Sequence, residues 1–128
     1  MAANTTPLLT FPHFLLSRPS SSPTIVHVEI SRPEKLNAFT PPMWASLRQI
    51  FTYLSSLSSC RAILLSGAGD RAFTAGLDLQ AALSSGPLAP TPANEPPLDP
   101  ARKAVAIRRH ILDFQDCITA VEKCEKRT

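Results

Sequence analysis

Apolar and polar positions alternate over Thr24–Ile30, where Ile25 or Val26, Val28 and Ile30 are separated by His27 and Glu29, so the pattern predicts a half-buried strand. The run Phe14–Leu16 upstream is apolar enough to pair with it as a hairpin. Beyond Pro33, which ends strand pairing, and Asn37, which suits a turn, the period changes. Met43, Trp44, Leu47, Ile50, Phe51, Leu54 and Leu57 recur at steps of three and four, predicting about four turns of helix with one buried face. Thr40 offers an N-cap oxygen and Pro41 the first helical position, where a missing N–H costs nothing. The unbroken apolar run of "AILLS" after Arg61 reads as a strand covered on both faces. Strand, helix, strand implies parallel pairing and an α/β class.

The second half is organised differently. "SSGPLAPTPANEPPLDP", from Ser84 to Pro100, holds six prolines and no periodicity, and predicts an extended loop inside the domain. Asp99 and Pro100 then repeat the cap and first-turn signal. Ala104, Ile107, Ile111, Phe114, Ile118 and Val121 mark the apolar stripe of a long amphipathic helix. The organisation expected is a flexible N-terminus over residues 1–12 and one domain over 13–128, with no internal repeat.

Composition narrows the function classes. A chain of 128 residues suits one domain, and its 44% hydrophobic and 18% charged residues are those of a globular protein. No apolar run approaches the roughly 18 residues of a membrane span. The net charge of +3 favours anionic ligands but falls short of a nucleic-acid signature. Cys60, Cys117 and Cys124 form no metal-spaced set and read as buried or inert thiols, and His13, His27 and His110 are too scattered for a shared metal or catalytic site. Trp44 and Phe51 fall at core spacing and call for no ligand. The basic cluster Arg102, Lys103, Arg108 and Arg109 reads as the solvated face of a domain helix, and neither terminus carries a clear targeting signal.

The chemistry gathers around glycine. Three of the four glycines, Gly67, Gly69 and Gly76, fall within ten residues after the second strand. Gly67 and Gly69 allow positive φ and a tight reversal there, and Gly76 allows a close approach of backbone or ligand. With Asp78 capping a helix from Leu79, the amides from Gly76 to Leu79 are expected to point outward unpaired. Such amides suit an anion or a carbonyl that becomes an oxyanion. A plain strand-to-helix connection fits the same residues.

"SRPEKLNAF" followed some 35 residues later by "AFTAGLDL" resembles the paired signatures of the crotonase (enoyl-CoA hydratase/isomerase) superfamily. "FTAGLDL" and the helix "ARKAVAIRRHILDFQDCITAVEKC" are similar to the dienoyl-CoA isomerases of that superfamily, and the similarity runs over about residues 13–124. The resemblance implies the N-terminal part of a ββα spiral fold. It makes the backbone N–H of Leu77 an oxyanion-hole donor to the thioester oxygen. It sets Ala75 against the adenine of coenzyme A, puts Lys35, Leu36 and Ala38 at the nucleotide and pantetheine entrance, and includes Gly76, Asp78 and Leu79 in the substrate site. Asp78 itself reads as an N-cap rather than a proton carrier.

The implied reaction moves a 3,5-dienoyl-CoA to the 2,4-isomer in fatty acid β-oxidation, with the acyl-CoA as substrate and no metal or redox cofactor. One preorganised oxyanion donor is typically worth about 3 kcal/mol of barrier. Relatives of this type are homo-oligomers of peroxisomes or mitochondria. The pattern breaks late in the chain: no glycine follows Gly86 to supply a second oxyanion amide, and "VEKC" runs into "EKRT" where relatives continue through a proline and an apolar strand. That implies a C-terminally truncated form, inactive alone. Asp113, Asp116 and Glu122 fall off the apolar face and read as solvated charges rather than catalytic replacements. The alternatives are a non-catalytic acyl-CoA-binding or interaction module, an enoyl-CoA hydratase-type fragment, and a chain left unstable by an uncovered strand edge and helix stripe.

Overall fold

A computed structural model describes residues 7–128. Residues 1–6 of the flexible start expected over 1–12 therefore lie outside the described residues. Two strands open the fold, β1 (Phe14–Ser17) and β2 (Ile25–Ile30), paired antiparallel as the hairpin reading requires. Helix α1 (Pro41–Ser56) carries the chain over to β3 (Ala62–Gly67), which lies parallel to β2 in register from Ile25↔Ala62 to Ile30↔Gly67. The order β1-β2-β3 puts β2 in the centre, so the α/β class holds.

One face of this sheet and one face of α1 make the core. Val26, Val28, Ile30 and Ile63 cluster with Met43, Leu47, Ile50, Phe51 and Leu54, all buried, which is what period 2 against period 3.6 produces when two amphipathic elements meet. The expectation that β3 is covered on both faces is corrected. Ile63 is buried, but Leu64 is 53% exposed and Leu15, on the same outer face, 56%. A continuous apolar run does not tell a strand with two cover layers from one with a single layer. Thr40 occupies the N-cap of α1, yet its hydroxyl makes no capping bond. Its backbone carbonyl instead accepts from Met43 and Trp44.

Two further helices follow, α2 (Leu79–Ser84) and α3 (Pro100–Lys123). Residues 85–99 join them without regular structure, and 91–99 are all exposed. The Asp99 carboxylate accepts from the Arg102 amide at 3.0 Å, as its place before Pro100 predicts. Only part of the stripe read along α3 turns inward. Phe114 and Val121 are half-buried beside buried Cys117, whereas Ala104, Ile111 and Ile118 are exposed. The cause is geometric: α3 packs along α1, and one neighbouring helix covers a narrow seam rather than a broad apolar face. The outer edge of β3 is partly closed, since Ala62 bridges Arg127 and the Ile63 amide donates to the Arg127 carbonyl at 2.7 Å.

Candidate functional site

The two glycine- and proline-bearing loops that flank the parallel pair are sewn to one another. Residues Pro33–Lys35 form a single 3-10 turn, after which Leu36 and Asn37 both take left-handed backbone conformations, φ 52° and 57°. That reversal aims the Asn37 side chain into the interior, where it is fully buried. Its Oδ1 accepts from the Arg32 amide at 2.9 Å, and its Nδ2 donates to the carbonyls of Ala68 at 2.9 Å and Ala72 at 3.0 Å. The Thr74 hydroxyl donates to the Asn37 carbonyl at 2.6 Å and accepts from the Gly76 amide at 3.1 Å. The Ala75 amide donates to Leu36 at 2.9 Å.

Phe39 then pairs with Leu77 as an isolated parallel bridge. The Phe39 amide donates to the Gly76 carbonyl at 2.7 Å, and the Asp78 amide donates to the Phe39 carbonyl at 2.9 Å. The expectation that every amide from Gly76 to Leu79 is unpaired is therefore corrected: those of Gly76 and Asp78 are used, while those of Leu77 and Leu79 have no partner among the described residues. In a parallel bridge the residue opposite the paired one turns its own N–H away, which is why Leu77 is spared.

The glycine roles are also redistributed. Gly69 has φ +82°, as expected, but Gly67 does not have positive φ; a Cβ there would strike the backbone of Phe73. Gly76, expected at a close approach, has open space around its Cα and φ +90°, a conformation β-carbons disfavour. Gly67 is thus needed for contact and Gly76 for conformation, the reverse of the sequence reading.

Asp78 caps α2, its carboxylate accepting from the Ala81 amide at 3.0 Å. Arg32 Nη1 reaches the other carboxylate oxygen at 2.8 Å and the Ala38 carbonyl at 3.0 Å. The Ala81 bond and then the Arg32 guanidinium hold the Asp78 carboxyl below its ordinary value. It is anionic at neutral pH and engaged, as a structural cap is.

Leu77 is 37% exposed and lines a partly open pocket of about 60 Å3 together with Trp44 and Ala45 of α1, Ala82 of α2 and Phe114 and Cys117 of α3. The core reading of Phe51 holds, but Trp44 is only half-buried, and its Nε1 is buried without a partner. No sequence signal marks that atom, because helical spacing places a tryptophan on a face and says nothing of its N–H. Of the remaining predicted site residues, Lys35 is exposed on the 3-10 turn, Ala38 is buried and Ala75 and Leu79 are exposed. Leu36 lines a separate cavity of about 70 Å3 with Pro33 and the Ala68–Ala72 loop. A larger groove of about 480 Å3 between the C-terminal parts of α1 and α3 contains none of the predicted residues.

All three cysteines are free, and burial pushes the Cys60 and Cys117 thiols up. Asp113 pairs with Arg48 at 2.8 Å, with most of its side chain in solvent. No cluster of metal-ligating side chains occurs among the described residues.

These loops and the fold that carries them define a class. A family model, enoyl-CoA hydratase/isomerase, matches residues 20–106, and the chain belongs to that family. It is 39% identical over 107 residues to the mitochondrial Delta(3,5)-Delta(2,4)-dienoyl-CoA isomerase of Rattus norvegicus, covering 84% of this chain and 31% of that protein. The peroxisomal enzyme of the same description from Arabidopsis thaliana is 32% identical over 109 residues, covering 85% and 37%. The chain thus spans about a third of the length of the curated relatives it matches.

Among solved structures, an enoyl-CoA hydratase/carnithine racemase from Magnetospirillum magneticum superposes with a TM-score of 0.66 at 25% identity, covering 91% of this chain and 37% of that one. An enoyl-CoA hydratase/isomerase from Xanthobacter autotrophicus Py2 gives 0.67 at 20% identity, with the same coverage. The crotonase fold expected from the two signatures is present, over part of those chains.

Proposed function

We propose that this chain holds the acyl thioester of coenzyme A, with the Leu77 amide donating to the thioester carbonyl, and that it serves the dienoyl-CoA isomerisation of fatty acid β-oxidation. The observation that carries the reading is the Leu77 N–H, left without a partner between two amide-carbonyl bonds that fix its peptide frame, in a residue bordering a cavity. Removing a proton from carbon conjugated with a thioester drives charge onto the carbonyl oxygen, and a donor already in place stabilises that dienolate more than the ground state. Lys35, exposed at the rim of the same pair of loops, supplies a compact cation for the phosphates of coenzyme A. By analogy with relatives named mitochondrial and peroxisomal, the site of action is one of those organelles.

Within this chain the reading favours binding and polarisation over turnover. The isomerisation needs carboxylates free to take and return a proton, and the two beside Leu77 or its cavity are engaged, Asp78 with Arg32 and the Ala81 amide, Asp113 with Arg48. The test uses 2,4-hexadienoyl-CoA, whose absorbance moves to longer wavelength when its carbonyl is polarised. The expected result is binding with a red shift, which Leu77→Pro, lacking the N–H, abolishes. Binding without any shift, or the same shift in Leu77→Pro, rejects the assignment.

A further inference from the structure

The N-terminal half of α3 takes no part in the paired loops. Every residue from Pro100 to Val105 is exposed, whereas the helix meets the rest of the protein further along, where Phe114 packs on Trp44 and Val121 on the core. Between Pro100 and Leu112 the chain carries Arg102, Lys103, Arg108 and Arg109 and no acidic residue. Arg102 has a partner in Asp99 at 3.3 Å, with both side chains mostly in solvent, and the other three make no ion pair among the described residues.

Apolar side chains stand among these cations. Ala101, Val105, Arg108 and Leu112 follow at steps of four, three and four, so they form one ridge along the helix, and all four are exposed. Val105 is 49% exposed and Leu112 44%. Arg102 and Arg109 border that ridge, and with Ala101 and Val105 they line one shallow surface depression. Ile111 on the helix and Leu98 just ahead of it are also largely exposed. A helix that offers apolar and cationic groups on one solvent-facing side suits the interface of an anionic bilayer, where the first enter the headgroup boundary and the second meet phosphate. A nucleic acid would gain from the cations alone and leave the apolar ridge in water.

We propose that the N-terminal half of α3 docks on the surface of an anionic phospholipid bilayer, with Val105 and Leu112 entering the headgroup boundary and Arg102, Arg108 and Arg109 meeting lipid phosphates. Arg108, between the two apolar residues on the ridge, lays its aliphatic stem beside them and keeps its head at phosphate level. The helix lies on the surface, since no helix among the described residues is long and apolar enough to cross a membrane. Contact ends where acidic residues resume: Asp113 is paired with Arg48, and Asp116 is exposed one turn beyond Leu112. The proposal stands independently of the thioester reading.

The test is co-sedimentation of the full chain with vesicles of phosphatidylcholine alone and of three parts phosphatidylcholine to one part phosphatidylserine. The protein is expected to pellet with the mixed vesicles, to stay in solution with phosphatidylcholine, and to lose affinity as sodium chloride rises. Arg108→Gln combined with Arg109→Gln is expected to weaken binding roughly 25-fold, about fivefold per cation. Val105→Ser combined with Leu112→Ser is expected to weaken it about tenfold. All four side chains are exposed, so both variants are expected to unfold at the temperature of the unaltered protein. Arg61→Gln, which removes an exposed cation ahead of β3, should bind as the unaltered protein does. No binding to the mixed vesicles, equal binding to both kinds, full retention in either double variant, or the same loss in Arg61→Gln overturns the proposal. Release by inorganic phosphate at an ionic strength where chloride releases nothing also overturns it and assigns the arginines to a soluble phosphate ligand. Tighter binding to a DNA duplex, undiminished in the Val105→Ser, Leu112→Ser variant, overturns it in favour of nucleic acid.

Discussion

The paired loops around Asn37 and the long helix α3 are opposite solutions to the same problem of ordering polypeptide. In the loops almost nothing is regular, yet backbone groups from Arg32 to Asp78 find partners in one another, and the buried Asn37 amide supplies three of the bonds. In α3 everything is regular, yet Ile111 and Ile118 remain 47% exposed. Hydrogen bonds inside a helix are guaranteed by its geometry, but its apolar face is stabilised only by whatever covers it. Irregular backbone has no such guarantee and survives in the interior only when each polar group is matched. Precision in this molecule therefore resides in the loops, and they are where the unpaired Leu77 amide is held.

Breaking that contrast should have graded effects. The largest is expected for Asn37→Ala, which strands the Ala68 and Ala72 carbonyls and the Arg32 amide and places alanine at φ 57°. A loss on the order of 3–4 kcal/mol is expected in chemical denaturation. A loss under about 1 kcal/mol would mean that the loops hold together without it. Gly67→Ala comes next, at about 2 kcal/mol, because the new methyl meets the Phe73 backbone rather than a movable side chain. Wild-type stability in that variant would contradict the close approach of the two segments.

The effect of acid is smaller and has a defined sign. The Asp78 carboxyl is held below its ordinary value of 3.8 in the folded protein, so its contribution is complete above that pH and disappears as pH falls through the lower folded value. Asp78→Asn should accordingly flatten the decline of thermal stability below pH 3.8, measured against wild type over the same range. An unchanged acid slope would rule out the cap and ion pair as its source. The smallest effect belongs to α3: Ile111→Ser and Ile118→Ser should each change stability by no more than about 0.5 kcal/mol. A cost of 2 kcal/mol would show that these side chains are covered in solution.

What was legible in the sequence follows the same division. Alternation over Ile25–Ile30, the three-four steps of α1 and the Asp99-Pro100 start of α3 are local signals, and each gave the right element. Asn37 reads locally as a turn residue, and so it is. Its bonds to Ala68 and Ala72, 31 and 35 positions away, have no local signature. The exchange of roles between Gly67 and Gly76 has the same origin, since only the arrival of Phe73 decides where a β-carbon is forbidden. Periodicity locates the apolar stripe of α3 but not the width of its neighbour, so it groups the exposed Ile111 and Ile118 with half-buried Phe114. The Leu77 amide was legible as an unpaired donor through resemblance and cap chemistry together. The unpartnered Trp44 Nε1 was not, because a tryptophan at core spacing carries no sign that its nitrogen is left over.

The Phe39 bridge has a consequence for proton traffic in water. Opening the frame around Leu77 requires both of its flanking bonds to break, so the amides of Phe39 and Asp78 should trade their protons for deuterium slowly. The one between them, Leu77, should trade quickly in the free protein and slow only when an acceptor arrives. A fast exchanger set between two slow ones would be the kinetic imprint of a donor kept waiting in a rigid setting.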